Sequence, residues 1–110
     1  MSVAAVGYLR IMSPDVDAWM DFATGVLGLM DAGREDAAGA RFLRMDDHPF
    51  RWMIEPGDTD KLIAGGFEHR TQEQWQAACD ALTAAGHTVE TGSAAEAERR
   101  CVSEFASVQD

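Results

Sequence analysis

The run from Val3 to Ile11 is apolar, partly β-branched and stops at Ser13-Pro14, which predicts a strand with Tyr8 and Arg10 on one face and Leu9 and Ile11 on the other. The period then changes. Val16, Trp19, Met20, Ala23 and Leu27 fall at helical spacing and form one apolar stripe, and Gly28 supplies the stop. Ser13 is the expected helix cap, with Pro14 at the first helical position and Asp15 near the positive end of the dipole. The same order returns 56 positions later. Leu62 to His69 predicts a strand, Thr71 and Gln74 form a capping box, and Trp75, Ala78, Cys79, Leu82 and Ala85 make a second apolar stripe closed by Gly86. Trp19 and Trp75 hold matching places, so the chain carries a duplicated strand-and-helix unit.

Between the two copies the pattern predicts more strands. Leu29-Met30 begins a short one, and Asp31 to Gly39, rich in Gly, Ala, Asp and Glu, reads as a mobile loop. Ala40 to Met45 and Phe50 to Glu55 predict two strands joined by the turn Asp46-Asp47-His48-Pro49. In the second of these, Arg51, Met53 and Glu55 alternate with Trp52 and Ile54, so one face should pack and the other be polar or line a cavity. Pro56 to Asp60 is a linker. After the second helix, His87 to Thr91 predicts a strand, Ala94 to Arg100 a helical turn and Val102 to Val108 a last strand, one strand fewer than the first copy has. The expected architecture is α+β: one domain over residues 1–110, built of paired βαβββ modules at 1–56 and 61–110, the second lacking its last strand.

Composition narrows the partners. The 110 residues are 46% hydrophobic, enough for one core, and a formal net charge of −10 argues against nucleic acid and anionic membrane surfaces. Cys79 and Cys101 show no metal-type spacing and are too few for a disulfide scaffold, so a reducing cytoplasm is expected. No apolar run is long enough to span a bilayer.

Several stretches resemble a known family. Val6-Gly7-Tyr8-Leu9-Arg10-Ile11, Val26-Leu27-Gly28-Leu29, Phe42-Leu43-Arg44-Met45-Asp46-Asp47, Pro56-Gly57 and Arg99-Arg100 followed by Val102 are similar to the N-terminal domain of type I extradiol ring-cleaving dioxygenases, within the vicinal oxygen chelate (glyoxalase and bleomycin-resistance) superfamily. The resemblance runs in order along essentially the whole chain. It implies a role in aromatic or steroid ring degradation, where the full-length enzyme uses Fe(II) held in a C-terminal domain. In metal-binding copies of the module, ligands stand at the positions matching Tyr8 and Ala64, with a third from the final strand. Tyr8 and Ala64 cannot complete a two-His, one-carboxylate triad, so this chain is expected to hold no metal, bind no cofactor, supply no catalytic residue and be inactive alone. It would be a structural domain or truncated form that packs against a catalytic C-terminal domain. The alternatives are a standalone small-molecule binding protein of the bleomycin-resistance kind, or an enzyme whose metal site is completed across a dimer. An open sheet edge beside Val102 to Val108 would allow a homo-oligomer.

The remaining chemical candidates are few. His48 sits in a turn, His69 at a strand end and His87 just after a helix stop, no two at close ligand spacing, and adjacent Glu68 and His69 point to opposite faces of a strand. Tyr8, Arg10, Arg44, Arg51, Met53, Glu55 and Glu68 are the expected lining of a small pocket. The competing expectation is that these side chains fill the cavity of a module that has lost its metal. No nucleophile sits beside a base, and no glycine loop is placed to cradle phosphate.

Overall fold

Strand β1 spans Ala5–Ser13 and runs two residues further than its apolar pattern, because its last residues pair with β4 (Trp52–Pro56). The pairing is parallel, from Leu9 opposite Trp52 to Ser13 opposite Pro56, and the Gly57 N–H extends it by donating to the Ser13 carbonyl at 3.0 Å. That extension overturns the expected cap. Ser13 is held in the strand and buried, and Asp15 caps α1 (Val16–Gly25), its carboxylate accepting from Ala18 N–H at 3.0 Å. The Ser13 hydroxyl accepts from Asp15 N–H at 3.1 Å. Beyond α1 the chain turns at Gly28, whose φ of +78° suits a residue without Cβ.

The computed structural model describes residues 5–109, so Val3, Ala4 and Asp110, which the sequence reading touched, lie outside it. Two compact units emerge, one over Val6–Phe67 and one from Glu68 onward.

The first unit holds a five-stranded mixed sheet of order β2-β3-β4-β1-β5, with β2 at Met30–Glu35, β3 at Arg41–Arg44 and β5 at Lys61–Glu68. The loop expected over Asp31 to Gly39 is therefore mostly strand. Its residues have poor strand propensity, and antiparallel pairing with β3 overrides it. Asp31 bonds Arg41 at 2.5 Å across the pair, and the register shifts between Asp31 and Glu35, where Gly33 takes a φ of +73°. Only Asp36 to Gly39 remain as a turn, with the Asp36 carboxylate accepting from the N–H groups of Ala38 and Ala40.

Adjacent residues Met53 and Ile54 of β4 are both fully buried, and because they face opposite ways each defines a core. On one face Ile54 packs with Ile11, Leu43, Leu29 and the α1 residues Met20 and Ala23, flanked by Val16, Trp19 and Trp52. On the other, Met53 packs with Phe42, Phe50 and Ala40, flanked by Tyr8 and Ala32. The expectation of one packed face and one polar or hollow face is thus corrected: both are packed around β4.

In the second unit, α2 spans Gln72–Ala84 with Thr71 as cap, its hydroxyl accepting from Gln74 N–H at 3.1 Å. The Gln74 side chain reaches back to Arg70 N–H at 3.3 Å, one residue beyond the reciprocal partner of a capping box. The predicted strands shrink to two-residue pieces, β6 at Glu90–Thr91 and β7 at Ala106–Ser107, paired antiparallel on either side of α3 (Ala94–Arg99). The ring of Phe105 leaves no room for a Cβ on Gly92, and the buried Arg100 guanidinium lies 4.3 Å from that ring, so an aromatic and a cation replace the aliphatic strand predicted from Val102 to Val108. No helix among the described residues is long and apolar enough to cross a membrane.

Trp19 also ties the first unit together at its rim. Its indole N–H donates to Asp60 at 3.2 Å, and hydrogen bonds from Ser13 first and Trp19 second hold the Asp60 carboxyl below its ordinary value. A lowered folded-state value stabilises the fold above the unfolded value, with the contribution lost as pH falls through the folded one. Asp60→Asn should therefore unfold at lower urea than the parent at pH 7. The gap between the two midpoints should close as pH is lowered from about 4. A gap independent of pH would contradict this.

Candidate functional site

The face of the sheet carrying Tyr8, Arg10 and Met12 is where the sequence placed its pocket. By strand alternation it also carries Met53 and Glu55 of β4 and Phe42 and Arg44 of β3. Tyr8 stands against Phe50 with ring centroids 5.6 Å apart, and Phe50 stands against Phe42 at 5.0 Å, edge to face. Arg34 of β2 lies 4.1 Å from the Phe42 ring centroid and 5.9 Å from that of Phe50. Opposite, Gly66 of β5 lies under Tyr8, where a Cβ would come within 2.3 Å of the phenol ring.

Beside this aromatic group, Arg10 and Glu55 make a two-pronged pair, Nε to Oε2 at 2.7 Å and Nη2 to Oε1 at 2.9 Å. Their side chains are 24% and 14% exposed, shielded enough for the pairing to matter. Both carboxylate oxygens thus accept from one guanidinium. Arg51 departs from the expected role: its Nε bonds both oxygens of Asp46 at 3.1 and 2.9 Å, and its Nη1 donates to the Gly7 carbonyl at 2.9 Å. Asp46 in turn accepts from His48 N–H at 3.1 Å. Partial desolvation works to raise the Asp46 carboxyl, but the His48 N–H and the Arg51 hydrogen bond and charge outweigh it and leave the group below its ordinary value. The Leu-Arg-Met-Asp-Asp stretch therefore clamps a turn to the start of β1.

Arg44 donates to the Asp46 carbonyl at 3.3 Å, and its buried Nε has no hydrogen-bond partner. Met53 is in the core and Glu68 is half-buried at the end of β5, in the second compact unit. The structure thus brings together Tyr8, Arg10, Met53 and Glu55 on one face, and draws Arg51 away to the turn. Phe42, Phe50, Arg34 and Gly66 belong to this face and were missed. The signal available was the parity of Phe42 with Arg44, once β3 and β4 were aligned. Two clefts of the first unit lie away from this face: one of about 450 Å³ lined by Asp17, Asp21, Thr24, Asp31 and Arg41, and one of about 360 Å³ around Pro14, Trp19, Phe22 and Asp60.

Among the described residues, no three His, Cys, Asp or Glu side chains converge as a metal site would require. Cys79 is partly buried on α2, and burial, then the charge of Asp80, pushes its thiol up, the direction of an inert cysteine.

A mixed sheet with β1 parallel to β4 and a helix packed on one face defines a vicinal oxygen chelate module. The family model Dihydroxybiphenyl dioxygenase BphC D1 matches residues 6–57. An iron-dependent extradiol dioxygenase of Rhodococcus jostii (strain RHA1) is 36% identical over the whole chain, which covers 36% of that enzyme. A biphenyl-2,3-diol 1,2-dioxygenase of Paraburkholderia xenovorans (strain LB400) is 36% identical over 93% of the chain and 34% of its own length. The crystal structure of BphC, a halotolerant catechol dioxygenase, superposes with a TM-score of 0.93 at 26% identity, over 98% of this chain and 36% of that one. The chain resembles the N-terminal domain of extradiol dioxygenases, and it spans about a third of the length of the curated relatives it matches.

Two substitutions test the packing of this face. Gly66→Ala should destabilise the fold by about 1–3 kcal/mol through overpacking, and much less in a Tyr8→Ala background where the ring is gone. Equal losses in both backgrounds, by urea denaturation, would show that the ring is not the obstacle. Glu55→Ala should cost about 1–3 kcal/mol by stranding Arg10, whereas Arg10→Met with Glu55→Met should recover most of that loss.

Proposed function

We propose that this chain serves as a metal-free, non-catalytic N-terminal domain of an Fe(II)-dependent extradiol dioxygenase acting on catecholic rings. Its work is to pack beside a catalytic domain and complete the scaffold around it. The observation that carries this reading is the filled face. Where a metal-binding copy would present its first two ligands, this chain has a phenol at Tyr8 and a methyl at Ala64, and on the Tyr8 face the Glu55 carboxylate is already engaged by Arg10. These residues do not fit iron: neither Tyr8 nor Ala64 supplies imidazole, and freeing Glu55 would strand a shielded guanidinium. We further propose that Tyr8, Arg10, Met53 and Glu55 fill the cavity, with Arg44 and Arg51 bounding it. A ligand pocket of the bleomycin-resistance kind would need the volume now held by Tyr8, Phe42 and Phe50, which is a reason to rank that alternative lower.

The test is to load the full chain with Fe(II) without oxygen, desalt it, and measure iron and catechol cleavage. The expected result is iron well below one per chain and no ring-opened product above an Fe(II) blank. Retention near one iron per chain, lost on Glu55→Ala, would overturn the proposal.

A further inference from the structure

We draw no further inference here: the strongest candidate, the cleft of about 360 Å³ between the start of α1 and Asp60, joins the apolar walls of Pro14, Trp19 and Phe22 to the carboxylates of Asp15 and Asp60, but both carboxylates already accept hydrogen bonds from the protein's own groups and nothing in the structure shows what covers it.

Discussion

The parallel pairing of β1 with β4 is the constraint from which the rest of the first unit follows. It makes β4 an interior strand between β1 and β3, and both faces of this strand are covered, so neighbouring Met53 and Ile54 each anchor a core. The Ile54 side takes α1, whose stripe of Val16, Trp19, Met20 and Ala23 fits against it. The Met53 side packs against aromatic side chains of the same sheet and its turn. It is closed by Tyr8, Phe42 and Phe50 and by the Arg10 to Glu55 pair. The same pairing carries β1 out to Ser13 and moves the helix cap to Asp15.

That division of labour leaves the polar side chains of the Met53 side to be matched among themselves. A cavity lined by arginines and a carboxylate would leave polar groups desolvated unless they met each other. Here Arg10 meets Glu55, and Arg51 is drawn off to Asp46 and the Gly7 carbonyl. Aromatic rings take up the volume between, with Arg34 lying over Phe42. Gly66 is small because Tyr8 occupies the space its side chain would need. The family resemblance in Tyr8-Leu9-Arg10, Arg44-Met45-Asp46 and Pro56-Gly57 thus has a physical content in this chain: an aromatic contact beside an ion pair, a clamped turn and the end of a parallel ladder.

The second unit rests on different forces. Its helix α2 buries only Ala78 of its predicted stripe, and its strands are two residues each. Arg100, buried between the Glu96 carboxylate and the Phe105 ring, and Gly92 beneath that ring take the place of an extended aliphatic pairing. A polar and aromatic joint of this kind has no period of two, so it is invisible to a reading built on alternation.

What the sequence by itself determined was local: the strand and helix of each copy, the Thr71 cap, the turn at Asp46 to Pro49 and the α+β class. Each depends on residues within a few positions of one another, whose propensities and periods agree. Tertiary structure alone decided that Asp31 to Glu35 would be a strand, since only β3 across from it could outweigh its composition. It also decided that Ser13 would lie in the ladder, that Met53 and Ile54 would build two cores, and that Glu55 would be Arg10's partner across 45 residues of chain. Those outcomes depend on which strands become neighbours. A pairing between distant segments leaves no period in either of them.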